Sequence, residues 1–291
     1  MSVVISDSLV VDPGADNLDG NSPIIGYVNR VTTTNIAATT EDASFPVTNV
    51  ANVNTAQRWK SGEGSPSSEE YITVTLAGGD AVDYVGIARH NFGTTKAAVS
   101  VEGVIDEPGS PADWFELTSP VTLDDDGPVI FRFNPQSLYA VRLRIQESVA
   151  ASPATPYLGV MYVGLLLLVQ RRIWANHVPV NLGRQLRFAN LRSISSDFLG
   201  TVVLGETRRT QIALSNLTES WYRSYFEPFV AYAEQNPWFW AWRPSDYPLD
   251  CGFVWLTSDV QPVNQRGVRW RSDILQPDGL VSVTLDVEGV S

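Results

Sequence analysis

Between Ile36 and Val169 the apolar residues come in short runs, recur at every second position inside them, and never recur at helical spacing. A strand turns successive side chains to opposite faces, so such a run buries one face and wets the other. Tyr71-Ile72-Thr73-Val74-Thr75-Leu76 alternates in this way and ends at Gly78-Gly79. Tyr84 to Ala88 is a short apolar strand, and Ala98 to Glu102 alternates again. Val129 to Phe133 and Ala140 to Ile145 set apolar groups on one face and arginines on the other. Short strands and frequent turns, with no convincing helix, predict an antiparallel β-sandwich.

The chain has 291 residues, more than one core usually serves, so two domains are expected. Residues 1–35 read as an irregular arm with turns at Pro13-Gly14 and Asp19-Gly20, lying on a neighbour or frayed. Residues 36–170 form the sandwich. Residues 171–291 read as a second β domain with one packed helix at about 217–235. Thr201 to Leu204 and Thr210 to Leu214 are its first strands. Asn216 is the expected N-cap, with Glu219 as its capping-box partner. Trp221, Tyr222, Tyr225, Phe226, Phe229, Val230 and Ala233 follow at helical spacing, with Pro228 kinking or restarting the helix. The helix stops near Asn236-Pro237. In the strand after it, Trp238, Trp240 and Trp242 share a face, and Leu280 to Val287 closes the domain as an amphipathic strand.

Little in the sequence suggests catalysis. Cys251 is the single cysteine, and His90 and His177 are the only histidines, so Cys and His cannot build a zinc site. No nucleophile elbow, phosphate loop or dinucleotide fingerprint is present. The chain is therefore expected to be non-enzymatic, without cofactor or metal. Asp124-Asp125-Asp126-Gly127 is a turn whose carboxylates either bind calcium or are simply solvated.

Charge divides the chain. Residues 1–170 carry 8 Lys+Arg against 20 Asp+Glu, a net −12, whereas residues 171–291 carry 12 arginines against 12 acids. An acidic first half argues against nucleic-acid binding. The longest apolar run, Tyr157 to Val169, is too short to span a bilayer, and the N-terminus lacks the pattern of a signal peptide. The second half holds seven of the nine tryptophans and uses only arginine as its base. That pairing suits either an assembly surface or a well-packed core. Arg171, Arg172, Trp238, Trp240, Trp242 and Arg243 are the candidate assembly residues.

Ser44-Phe45-Pro46-Val47-Thr48-Asn49-Val50-Ala51, followed by Gln57-Arg58-Trp59-Lys60-Ser61, resembles the opening of discoidin, or coagulation-factor C-type, domains. Tyr71–Leu76, Tyr84–Ala88, Val99–Glu102 with Asp113–Leu117, Ala140–Ile145 and Leu158–Gly164 resemble that family's later strands, in order. The family's terminal cysteines are missing, and Ala51 and Asn52 replace the acid expected after Asn-Val. The resemblance implies an eight-stranded jelly roll that binds sugars, lipids or proteins through loops at one end. It implies a buried Trp59 and a glycan-binding loop at His90, Asn91 and Phe92. More loosely, Val202 through Trp242, with Arg243-Pro244 and Tyr247-Pro248, is similar to siphophage distal and minor tail proteins. Together the two resemblances imply a structural tail-tip or baseplate protein, made in the host cytoplasm without a signal peptide and located in the virion tail. It would form a hexameric or trimeric ring, touch other tail proteins and contact a host surface polysaccharide. The alternative is a non-catalytic bacterial carbohydrate-binding protein.

Overall fold

The alternating runs do form strands. The computed structural model describes residues 3–10, 19–62, 69–76, 81–106, 113–146, 154–173, 176–265 and 279–290. The expected turns at Pro13-Gly14 and Gly78-Gly79 lie outside these. In chain order the first strands are β1 (Val3–Ile5), β2 (Ile24–Gly26), β3 (Ile36–Ala38), β4 (Trp59–Lys60), β5 (Glu70–Thr75) and β6 (Ala81–His90). Next come β7 (Ala98–Val104), β8 (Phe115–Thr122), β9 (Val129–Ser137), β10 (Ala140–Gln146), β11 (Tyr157–Gly164) and β12 (Leu167–Leu168). The second part adds β13 (Arg184–Arg192), β14 (Phe198–Thr218), β15 (Trp238–Ala241), β16 (Cys251–Leu256), β17 (Val263–Gln265) and β18 (Leu280–Val290).

Two five-stranded sheets make the jelly-roll sandwich: an outer sheet β3-β5-β10-β7-β8 and an inner sheet β1-β9-β6-β11-β4. Ile72, Val74, Val101, Val141 and Leu143 of the outer sheet meet Val85, Ile87, Phe131, Phe133 and Met161 of the inner one in a single core. Trp59 is fully buried there and donates its indole N–H to the Thr40 carbonyl at 2.9 Å.

The third sheet runs β12-β2-β15-β16-β18-β14-β13, with β17 paired to β18. It packs on the back of the inner sheet, where Tyr84, Ile130, Val160 and Tyr162 meet Ile24, Phe239, Ala241, Cys251 and Phe253. Gly86 makes this contact possible: a Cβ there would sit 2.6 Å from a Phe239 ring carbon. The inner sheet is thus buried on both faces, which is why β6 and β11 are apolar along most of their length. The other face of the third sheet is covered by the helix, through Trp238, Trp240, Val254, Val283 and Leu285 against Tyr222, Phe226 and Phe229. The molecule is therefore mainly β: a jelly roll followed by a second β domain with one packed helical segment.

Several expectations are corrected. The arm is not irregular throughout. β1 pairs in parallel with β9, and β2 sits between β12 and β15, so the arm joins both parts of the chain. With β2 and β12 in the third sheet, the boundary between the two parts is not a simple cut after residue 170. Thr201–Leu204 and Thr210–Leu214 belong to one strand, β14. The helix cap is Thr218, whose hydroxyl accepts from the Trp221 N–H at 3.4 Å, not Asn216. Asn216 takes a left-handed conformation (φ 59°) at a bulge in β14, which asparagine tolerates. Glu219 pairs with Arg223 instead of closing a capping box. The expected disturbance at Pro228 is a wide π turn over Tyr222–Phe226. There the Glu227 N–H reaches back to the Tyr222 carbonyl, and the proline sits in the first turn of the next helix, Glu227–Ala233.

Candidate functional site

At one end of the sandwich three strands of the inner sheet come together. Leu158 pairs with both Trp59 and His90, and Tyr157 pairs with Lys60. The predicted glycan-binding residues lie at this end but face inward. His90, Asn91 and Phe92 are 1%, 5% and 0% exposed, so their side chains are closed to a sugar. The cause is local. Arg89 adopts φ 58°, which breaks the strand's alternation, leaves Arg89 exposed and turns His90 and Phe92 inward. The Asn91 side chain accepts from the Tyr157 N–H at 2.8 Å and donates to the Thr155 carbonyl at 2.9 Å, pinning the loop that leads into β11. His90 stacks on Phe92 at 4.9 Å, and its Nδ1 accepts from the Phe92 N–H at 3.2 Å. Its Nε2 has no hydrogen-bond partner among the described residues, and burial holds its pKa down at about 4, so the ring is neutral. These three residues support the loops; they do not form a sugar platform.

The acidic turn is likewise a support. Asp126 accepts from the backbone N–H and hydroxyl of Thr94 at 2.8 and 2.6 Å, and Asp125 accepts from the Gly127 N–H at 2.9 Å. Gly93 admits the turn, since a Cβ there would meet the Asp125 carbonyl carbon at 2.2 Å. Among the described residues no group of three or more His, Cys, Asp or Glu is placed to hold a metal, so the calcium alternative gains no ligand set here.

Around these buried supports lies an accessible patch. The Arg58 guanidinium carbon is 4.7 Å from the Tyr157 ring centre and 5.2 Å from that of Phe45. Lys60 Nζ lies 5.9 Å from the Phe45 ring centre. Arg58, Gln57 and Arg89 are exposed, and Phe45, Lys60 and Tyr157 are half-buried. The family-like motif builds this arrangement. Asn49 donates its side-chain amide to the Arg58 carbonyl at 2.9 Å, and Lys60 donates its N–H to the Phe45 carbonyl at 3.2 Å. Gly159 lets the strands close up, since a Cβ there would be 2.8 Å from the Arg89 Cβ. In the sequence, the motif residues Ser44–Ser61 speak for the fold. The signal for the site was present in them: two residues flanking Trp59, on a strand that buries the tryptophan, had to face the other way.

The candidate assembly residues are occupied within the chain. Trp238 and Trp240 share a face as expected, but at 0% and 1% exposure that face is the core under the helix. Trp242 donates its indole N–H to Asp250 at 2.9 Å and stacks on Tyr247 at 5.3 Å. Arg243 pairs with Asp246 and lies over the Trp242 and Tyr247 rings. Arg172 pairs with Asp19, and Arg171 donates to the Asn216 carbonyl at 3.3 Å. The unpartnered apolar surface lies instead on the β13–β14 hairpin. Among the described residues ten of the seventeen exposed large apolar side chains fall between Leu182 and Leu204, including Phe188, Ile194, Phe198 and Val203. β13 is not among the strands expected from the sequence, although Leu186 and Phe188 alternate with Gln185 and Arg187. A groove of about 590 Å³ opens at the hairpin's root, beside Leu182, Arg184, Gln211 and Asp286.

No protein-family model and no curated protein matches the chain. Among solved structures it is similar to chitosan-binding module 1 of a chitosanase/glucanase from Paenibacillus sp. IK-5, at 20% identity and a TM-score of 0.38, over 47% of this chain and 96% of that one. A carbohydrate-binding module from Clostridium perfringens, CpGH89CBM32-5, solved with GalNAc-β-1,3-galactose, aligns at 14% identity and TM-score 0.37, over 44% of this chain and 93% of that one. The CBM32 module of AlyQ, in complex with 4,5-unsaturated mannuronic acid, aligns at 16% identity and TM-score 0.36, over 47% and 96% of the two chains.

Proposed function

We propose that the chain is a non-catalytic carbohydrate-binding protein whose ligand meets the loop end of the jelly roll. One observation carries this reading: Phe45 and Tyr157 are half-buried on either side of exposed Arg58, with exposed Gln57 alongside. Sugars offer C–H groups on a face and hydroxyls on an edge, so half-open rings beside fixed polar groups suit them. Gln57 is held in place, its side-chain oxygen accepting from the Asn52 amide at 2.9 Å. A glycan array probed with the full chain, followed by calorimetry on the hits, tests the reading. Phe45→Ala and Tyr157→Ala are each expected to lose about tenfold in affinity or more while the chain stays folded. Unchanged affinity in both variants would move the ligand elsewhere.

A second reading, a self-assembling structural protein such as a phage tail-tip component, is favoured by the hairpin. Among the described residues its two strands pair only with each other over Gln185–Arg192 and Phe198–Thr207, and β14 meets β18 from Arg208 onward. A two-stranded ribbon with apolar groups on both faces is marginal in water by itself. Neighbouring copies in a ring, with trimers or hexamers as the expected sizes, or other tail proteins would cover it. Sedimentation of the full chain against Phe188→Asp and Val203→Asp variants tests this. A chain that stays monomeric at every concentration and in every mixture with virion proteins would exclude it.

A further inference from the structure

We infer that the loop-end patch takes an acidic saccharide, one carrying carboxylate or phosphate groups, and that Arg58, Lys60 and Arg89 read its charge. The inference rests on the glycan reading and names its ligand class. Residues 1–170 contain eight cations in a field of twenty acids. Most of the cations are committed elsewhere. Arg142 and Arg144 pair with Glu102 and Glu69 on the outer sheet. Arg132 is buried at 4% exposure, and Lys96 donates to the Asp124 carbonyl at 3.3 Å. Arg58, Lys60 and Arg89 differ: among the described residues none of them has an ion-pair partner. Arg58 and Arg89 are exposed and Lys60 half so.

All three gather at one end. Arg58, just before β4, and Lys60, on it, flank Trp59 and share the Phe45 ring. Gly159 ties Arg89 to the same place, because its absent side chain leaves the Arg89 Cβ and the Gln57 carbonyl both against β11. Arg89 is also held in a left-handed conformation (φ 58°), a strain of the kind that collects at ligand sites. The nearby carboxylates are turned to backbone instead. Glu41 accepts from the Val47 N–H at 2.7 Å and Asp42 from the Ser44 N–H at 2.9 Å. In a domain of net charge −12, three cations without carboxylate partners around two half-open rings suit a ligand with an apolar sugar face and a negative substituent. A long acidic polymer would be repelled by the rest of the domain, so the ligand should engage the patch with a short stretch or an end.

The test uses the full chain and three probes: a short oligouronate, the same oligosaccharide with its carboxylates reduced to alcohols, and a short phosphate-bearing oligosaccharide. Binding is followed by calorimetry at low and high salt. The oligouronate or the phosphate-bearing oligosaccharide should bind about tenfold more tightly than the reduced, neutral form, and the advantage should shrink at high salt. Arg58→Gln, Lys60→Gln and Arg89→Gln should each lower that preference and flatten the salt dependence. Whichever acidic probe binds identifies the source of the charge. Equal, salt-independent affinity for the acidic and reduced forms overturns the inference and leaves the carbohydrate reading standing. Silence toward all three, with neutral glycans bound at Phe45 and Tyr157, also overturns it. Silence toward every glycan overturns both.

Discussion

Asp83 offers a direct test of how the inner sheet is buried. It lies near the start of β6, 5% exposed, and its Oδ1 accepts the Leu166 N–H at 2.7 Å. Arg132 attracts it, but Arg132 is itself buried and its Nη1 has no hydrogen-bond partner among the described residues. Desolvation therefore dominates and raises the carboxyl's pKa from 3.8 to about 7, against the smaller opposing effects of the Leu166 bond and Arg132. A folded-state pKa above the unfolded value means that the native chain holds this proton more tightly. The stability linked to Asp83 is present in full below about pH 4, falls as pH rises toward about 7 and is level beyond. At 1.36 kcal/mol per pKa step, the ionised carboxylate costs about 4 kcal/mol above neutrality. Asp83→Asn keeps the shape and the acceptor for Leu166 and removes the charge. It should gain about 2 kcal/mol more, relative to the parent, at about pH 8 than at about pH 5.5. Urea denaturation of both chains at the two pH values reads this difference, in which other titrating groups cancel. A gap that does not change with pH would refute the reasoning. So would a variant that is weaker at high pH, because Asp83 would then be an ionised partner of Arg132, and removing one member of a buried pair costs about 3–5 kcal/mol.

Other perturbations probe the same construction. Gly86→Val drives a side chain into Phe239 where the jelly roll meets the third sheet. Overpacking of this kind should cost about 1–3 kcal/mol, read as a lower thermal midpoint, and a midpoint equal to the parent's would mean that the two sheets are not pressed together at this point. The neutral, buried His90 should titrate at about 4 in NMR spectra of the folded chain. Its folded pKa lies below the unfolded one, so its linked stability is present above about pH 6.5 and lost as pH falls toward about 4. A His90 resonance titrating near 6.5 would place the ring in solvent and reopen it as a ligand contact. Thr218→Ala should cost the helix about 1 kcal/mol, whereas Asn216→Ala should change the helix cap by nothing.

What could be read in the sequence was what local periodicity encodes. β5 and β10 each leave alternate residues partly exposed, so their alternation shows plainly in the sequence. Trp238 and Trp240 were rightly placed on one face. The sequence did not say whether that face met water or a helix, since arginine and tryptophan serve interfaces and cores alike. The arm was illegible for a different reason. β1 has three residues and its partner β9 lies more than a hundred positions away, so no local pattern announces the pairing. At the site, the motif from Phe45 to Lys60 fixed the neighbourhood. The facing of His90 and Phe92 depended on a left-handed residue at Arg89, which carries no glycine or asparagine signal.

The layering narrows where a ligand can be met. The inner sheet of the jelly roll has the core on one face and, over β1, β9, β6 and β11, the third sheet on the other, so among the described residues that second face is left open at β4. The outward face of the outer sheet is occupied by its own charges. The Arg142 guanidinium lies between Tyr71 and Trp114 at 4.0 and 4.2 Å and binds Glu102 at 2.6 Å, while Arg144 bridges Glu102 and Glu69. A ligand on that face would have to break a network that is already charge-balanced, at a cost it would need to repay. The loop end carries no such closure: its cations lack carboxylate partners among the described residues and its rings are half open. The hairpin belongs to the third sheet, and its apolar surface lies on strands that contribute nothing to the jelly roll. The proposed recognition patch and the proposed assembly surface thus fall on different parts of the fold, so a hairpin variant that abolishes self-association should leave the patch's ligand affinity per chain unchanged.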